Sequence, residues 1–179
     1  MVNLPPAYRW LMSLALRPRM VDEALKLYGT AEVAGAGNNP AIMGWAKEMG
    51  GDVARLYGAD SVPWCGLFVG IVAKRAGKPL PATPLWALSW ASWGAQVARP
   101  MLGDVLTFKR AGGGHVGLYV GEDATAFHVL GGNQGDQVSI VRIVRDRLFA
   151  ARRPSYNVQP ATVQPYQLAA NGAVSTNEA

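Results

Sequence analysis

Two side chains in this sequence of 179 residues can do acyl-transfer chemistry together. One is Cys65, the only cysteine, set in Ser61-Val62-Pro63-Trp64-Cys65-Gly66-Leu67-Phe68-Val69-Gly70; the other is His115, one of only two histidines. A thiolate attacks an amide carbonyl, and a neutral imidazole takes the thiol proton and later hands a proton to the leaving amine. Pro63 suits a helix start, Ser61 can cap it, and Leu67, Phe68, Ile71 and Val72 recur at helical spacing. Cys65 is therefore expected in the first turn of a helix, where unpaired N–H groups and the macrodipole lower a thiol pKa. His115 follows Gly112-Gly113-Gly114 and opens an apolar stretch, so it is expected at the exposed end of a strand, where a helix N-terminus can meet it. Each residue alone fits a bland role, the cysteine as a small buried hydrophobe and the histidine as a satisfied strand residue. Together they define a nucleophile and a base.

The elements that must position this pair divide the chain. Residues 1–19, with Pro5-Pro6 and Pro18, read as an N-terminal extension. A helix is expected over Met20–Tyr28 with Asp22 and Glu23 in its first turn, and a second from Asn39-Pro40 through Met49, closed by Gly50-Gly51. A short helical stretch around 52–57 leads into the cysteine helix, which Gly77 and Pro79 stop. Its glycines, Gly66 and Gly70, lie one turn apart and weaken a helix by about 1 kcal/mol each relative to alanine, which implies that another backbone approaches there. Residues 85–97 are expected to be helical, with Trp86, Trp90 and Trp93 on one core-facing side. Beyond Arg99-Pro100 the pattern turns to strands: 105–108, 115–120, 126–130, 138–143 and 148–152. Helices first and antiparallel strands second predict an α+β domain over residues 20–154, with helices packed on one face of the sheet. Residues 155–179, polar and nearly uncharged, are expected to be a flexible tail.

One cysteine excludes an internal disulfide framework and any multi-cysteine zinc site, and no metal or organic cofactor is called for. The apolar runs are interrupted well before the roughly 18–20 residues of a spanning helix, so no transmembrane segment is expected. Trp10–Leu16 lies behind two prolines and ends in Arg17-Pro18-Arg19 without a small-residue cleavage site, so no signal peptide is expected and synthesis in the cytoplasm follows. The net charge of +5 and pI near 9.6 suit a polyanionic partner such as an anionic cell envelope. Arg142, Arg145, Arg147, Arg152 and Arg153 carry no aromatic or zinc-finger context that would indicate nucleic acid.

Three blocks in order, Pro63-Trp64-Cys65, Pro100-Met101-Leu102-Gly103-Asp104-Val105 and Gly114-His115-Val116-Gly117-Leu118-Tyr119-Val120-Gly121, resemble the NlpC/P60 and CHAP superfamily of cell-wall cysteine hydrolases. Val129-Leu130-Gly131-Gly132-Asn133-Gln134 adds a likeness to its phage-associated branch, over residues 20–154 in all. The resemblance implies a papain-like fold, hydrolysis of a peptidoglycan amide bond, and bacterial peptidoglycan as partner, with phage tail or virion proteins as further candidate partners. It also implies an enzyme that acts on the wall after release or from the virion. A related acyltransferase, or a non-catalytic phage structural protein keeping the fold, are the alternatives. A third polar residue is implied to orient the histidine. Asn133, eighteen residues after His115, and His128, thirteen after, both qualify, and Asn133 is preferred because its amide can accept from the imidazole N–H and its glycine-flanked segment has no evident core role.

Overall fold

The helical half forms where the apolar spacing puts it. A computed structural model describes residues 2–110, 112–170 and 172–176, and among these five α-helices precede the main sheet. They are α1 (Trp10–Ser13), α2 (Arg19–Lys26), α3 (Pro40–Met49), α4 (Gly51–Leu56) and α5 (Cys65–Arg75). Pro40 stands at the first position of α3, and the Asn39 side-chain Oδ1 accepts from the Ala41 N–H at 2.8 Å, satisfying one orphan donor. α5 is buried on every side from Cys65 through Ala73, so it is the central helix, and α2 and α3 pack around it.

The glycines of α5 are sites of close approach. A Cβ on Gly66 would sit 2.3 Å from the Leu85 carbonyl oxygen, and one on Gly70 would sit 2.8 Å from the Met49 methyl. The chain following the helix therefore crosses directly over its first turn.

The other half is one antiparallel sheet in the order β1-β6-β2-β3-β4-β5, made of β1 (Ala95–Gln96), β2 (Val105–Arg110), β3 (Gly113–Glu122), β4 (Ala126–Gly131), β5 (Ser139–Val144) and β6 (Leu148–Arg153). Period-two alternation gives it two apolar faces. Val105, Val116, Leu118, Val120 and Leu130 pack with the helices, while Leu106, Phe108, Tyr119, Phe127, Val129 and Ile143 form a separate layer. The domain is thus α+β, as its order of elements predicts. The turn before β2 is stapled to the sheet edge by Arg153, whose Nε and Nη2 donate to the buried Asp104 carboxylate at 2.9 and 2.7 Å.

Three expectations change. Residues 85–97 contain one 3-10 segment, Ala87–Ser92, rather than a helix carrying a tryptophan stripe; Trp90 and Trp93 are buried, but Trp86 is 73% exposed. The N-terminal extension is part of the core, since Leu4, Tyr8 and Leu11 are buried with α2 and α3. Residues 155–176 return over the domain. The Leu168 N–H donates to Glu122 O at 2.8 Å, Ser175 N–H to Arg142 O at 2.8 Å, and Tyr166 stacks on Trp10 at 4.4 Å. Residues 177–179 of the expected tail lie outside the described residues. No helix among the described residues is long and apolar enough to cross a membrane.

Gly66→Ala is expected to lower stability by about 1–3 kcal/mol, because backbone cannot yield as a flexible side chain does. Gly44→Ala, in α3 with open space around its Cβ position, is expected to raise it by up to about 1 kcal/mol. Urea unfolding midpoints of the two variants check the contrast.

Candidate active site

Cys65 is delivered by a braced loop. The buried Asp60 carboxylate accepts from the N–H groups of Val33 at 3.1 Å and Asn39 at 2.7 Å, and the Asp60 N–H donates to Asn38 Oδ1 at 2.8 Å. Trp64, fully buried, donates its indole N–H to Glu32 Oε1 at 2.6 Å and packs against Trp45. The helix begins at Cys65, with Trp64 as its N-cap residue and no side-chain cap, so Ser61 and Pro63 stand outside it instead of opening it. The first-turn N–H groups of α5 consequently meet no capping side-chain oxygen.

The thiol lies against β3. The backbone N–H groups of Val116, Gly66 and Cys65 itself and the Arg110 guanidinium supply the electrostatics that favour a Cys65 thiolate. Burial opposes them and prevails, so the Cys65 thiol is pushed up from its ordinary value, contrary to the expectation from helix-start chemistry alone. Cys65 is therefore a protonated thiol at neutral pH.

His115 is fully buried on β3, opposite Phe108 on β2. Its Nε2 lies 3.0 Å from Gln134 Oε1. The Gln134 amide nitrogen donates to Val129 O at 3.1 Å and to Ser139 O at 2.7 Å, which fixes the amide so that its oxygen faces the imidazole. Nε2 therefore carries the proton in the neutral ring, and Nδ1 is the nitrogen that can accept one. Gly131 makes the contact possible: a Cβ there would sit 2.6 Å from Gln134 Oε1 and 3.2 Å from His115 Nε2.

The amide that meets Nε2 thus belongs to Gln134, one residue beyond the preferred Asn133. Asn133 is buried with φ +57°, followed by Gly135 at +64° and Asp136 at +60°. This run of left-handed residues is turn geometry, which asparagine, glycine and aspartate tolerate best. It breaks the strand alternation and turns the next side chain inward.

His128, the other alternative, is committed elsewhere. Its Nε2 lies 2.9 Å from Asp123 Oδ2 and its Nδ1 2.7 Å from the Tyr8 hydroxyl. Asp123 also accepts from Arg142 Nε at 2.8 Å, and from the Thr125 N–H at 2.8 Å and hydroxyl at 2.9 Å. An ionised carboxylate only accepts, so Nε2 is protonated and Nδ1 accepts a hydrogen bond from the Tyr8 hydroxyl: a neutral imidazole pins the N-terminal segment to β4. Burial holds His128 below its ordinary pKa, and Arg142 holds Asp123 well below the usual carboxylate range. Burial likewise pushes the Tyr8 hydroxyl up to about 12.

Chemistry-bearing spacing can nominate Cys65 and His115, but neither Gln134 nor Arg110 stands out from sequence. The adjacency of Gln134 to a Gly-Gly-Asn turn is the one signal that could have found it. No set of three His, Cys, Asp or Glu side chains suited to a metal ion occurs among the described residues. A cleft of about 660 Å³ between Tyr8, β5 and residues 172–176 reaches Gln134 but is lined by neither Cys65 nor His115. No protein-family model matches the chain, and no curated protein matches it significantly.

Because both His128 and Asp123 are depressed, the folded state binds fewer protons than the unfolded chain at acid pH. Stability is full above pH 6.5, falls as pH drops toward the folded pKa of His128, and falls again below about pH 4, where Asp123 takes up a proton in the unfolded chain but stays ionised in the folded one. His128→Gln is expected to be less stable at neutral pH and to lose the first of these two declines. Thermal midpoints measured from pH 8 to pH 3 check it.

Proposed function

We propose that this chain is a cysteine hydrolase of peptidoglycan amide bonds with a papain-like NlpC/P60 or CHAP fold, acting for a phage as a released or virion-borne lysin. The observation that carries the reading is the tautomer of His115. Gln134 accepts from Nε2, which assigns the basic nitrogen to Nδ1, and His115 stands on β3, the strand that packs on the cysteine helix. An imidazole held in one tautomer, on the strand that packs against the cysteine helix, is what a nucleophile–base–orienter trio requires.

The steps follow from the groups present. His115 Nδ1 takes the thiol proton as the Cys65 sulfur attacks the amide carbonyl, and the negative charge on the carbonyl oxygen is met by first-turn N–H groups of α5. The imidazolium returns the proton to the departing amine, leaving a thioester. Water then loses a proton to His115, attacks the thioester carbon, and releases the carboxylate while the sulfur is reprotonated. Gln134 keeps the ring in one tautomer throughout. The raised thiol pKa fits a pair that transfers its proton only when a carbonyl is in place. The basic net charge of +5 suits an anionic wall.

Digestion of purified sacculi, with mass analysis of the new termini, is the test. The wild-type chain is expected to release fragments each gaining one water, and Cys65→Ala to release none. Gln134→Ala is expected to lower kcat by about 10- to 100-fold as the imidazole loses its orientation. His128→Ala is expected to act on stability alone. Products joined to an added amine would make the chain an acyltransferase, and intact sacculi with wild-type protein would leave it a non-catalytic relative.

A further inference from the structure

Trp86 stands apart from the other tryptophans and takes no part in the proposed reaction. Of the six in the sequence, Trp45, Trp64, Trp90 and Trp93 are buried and Trp10 stacks on Tyr166, whereas Trp86 is 73% exposed. The exposure is built into the backbone. The Trp86 N–H donates to Thr83 O at 3.1 Å, and the Trp86 carbonyl accepts from the Ser89 N–H at 3.0 Å and the Ser89 hydroxyl at 2.7 Å, so turns on both sides fix the residue that carries the indole.

The indole borders a cleft of about 350 Å³ between α4 and residues 80–86. Leu56, itself 67% exposed, and Leu80 line the same cleft, so Trp86 belongs to an apolar patch rather than standing singly. Asp52 and Thr83 add a carboxylate and a hydroxyl at its exposed rim. One wall is stiff. It contains Pro81 and Pro84, whose rings fix a backbone torsion, and the indole N–H groups of Trp90 and Trp93 brace it, donating to Pro84 O at 3.0 Å and Pro79 O at 2.8 Å. A wall held in this way needs no ordering when a ligand enters.

One stretch of backbone joins this cleft to the candidate active site. The Leu85 carbonyl oxygen rests on Gly66, the neighbour of Cys65, and the Leu88 side chain rests on Gly114, the neighbour of His115, with no space for a Cβ at either glycine. Trp86 lies between these two contacts. An occupant of the cleft is therefore within the reach of a few extended residues, about 3.3 Å each, from the sulfur.

The volume is that of a small-ligand site, too small for a folded partner. A flat aromatic face beside a rim of acceptors suits a ring that is apolar on its faces and polar around its edge. A pyranose is built so: its C–H bonds can lie on the indole while its equatorial hydroxyls donate to Asp52 and Thr83. An acyl chain in the same place would leave those rim groups dry and unpaired.

We propose that the Trp86 cleft is a saccharide subsite, which holds a pyranose ring of the glycan strand while Cys65 attacks the peptide attached to that strand. The proposal deepens the hydrolase reading and rests on it for the origin of the sugar. It makes Trp86 a substrate-binding residue and divides recognition in two, sugar on the proline-walled cleft and peptide between α5 and β3.

Sugar binding can be tested apart from hydrolysis. The full chain is titrated with N,N′-diacetylchitobiose while the Trp86 indole N–H resonance is followed by NMR, assigned by its disappearance in Trp86→Ala. The disaccharide is expected to shift this resonance saturably in the millimolar range, together with the backbone amides of Leu56 and Thr83. In Trp86→Ala those two amides should report at least about tenfold weaker binding, and Trp86→Tyr should retain part of it. The thermal midpoint of Trp86→Ala should equal that of the wild type, since the indole is exposed. With soluble disaccharide-peptides, Trp86→Ala is expected to raise KM about tenfold with kcat little changed.

Absence of a saturable shift, or binding undiminished in Trp86→Ala, overturns the subsite whatever the protein does to sacculi. Self-association, or binding to phosphatidylglycerol vesicles, that depends on Trp86 and comes without any response to sugar gives the cleft to another occupant and also overturns it. Saturable sugar binding that needs Trp86, together with uncut sacculi, would uphold the subsite and remove the hydrolase reading.

Discussion

The tightest constraint in the molecule is where the loop after β4 meets the cysteine helix. A Cβ on Gly132 would lie 2.6 Å from the Phe68 Cβ and 2.7 Å from the Trp64 ring, so the loop backbone rests directly on the first turn of α5. Trp64 cannot withdraw, being fully buried, packed on Trp45 and tied to Glu32. Gly131, one residue earlier, leaves room for the contact between His115 and Gln134. Two consecutive glycines thus set how closely the loop that carries Gln134 approaches the cysteine helix and His115. Any larger residue at either would separate them.

The same loop is held from its other side by the helical half. The Gly29 N–H donates to Val138 O at 2.9 Å, Val138 N–H to Thr30 O at 2.8 Å, and Glu32 N–H to Asp136 O at 2.9 Å. Glu32 is also the acceptor for Trp64. One short segment therefore fixes both the turn that presents Gln134 and the tryptophan that precedes Cys65. Position in the site is transmitted through backbone hydrogen bonds and one indole, all short in range and all within a well-packed core, where small displacements are resisted.

Much of this arrangement is legible in the sequence, and the parts that are not share a cause. The α3 helix, the cysteine helix and the five long strands follow from hydrophobic period, caps and glycine stops, which are local signals. Gly66 and Gly70 announce close packing because glycine in a helix has a cost that must be met elsewhere. Gln134 was hidden because Asn133 is the more conspicuous amide, and its left-handed backbone, set by the turn, cannot be counted by strand parity. Helical spacing groups Trp86 with Trp90 and Trp93, whereas the chain crosses Gly66 at Pro84 and Leu85 and then makes only a 3-10 segment, which leaves Trp86 outside the core. The terminal segments were discounted for their composition, yet Tyr8 reaches His128 and Leu168 reaches Glu122 through contacts more than forty residues apart in the chain. Long-range pairing leaves little local trace.

The state of the thiol follows from the same close packing. Loop, strand and helix exclude water from Cys65, and that exclusion raises the thiol pKa against the pull of three backbone N–H groups and Arg110. The same exclusion strengthens every dipole that would meet a developing oxyanion, because electrostatic interactions grow as water leaves. A permanently ionised thiolate would be costly in such a pocket, whereas a thiol and a neutral imidazole carry no net charge until a carbonyl arrives. Burial therefore sets the resting protonation of Cys65, and in the proposed hydrolase its ionisation falls to His115. The fixed tautomer that Gln134 imposes makes this division of roles possible, since only with Nε2 engaged does Nδ1 present its lone pair.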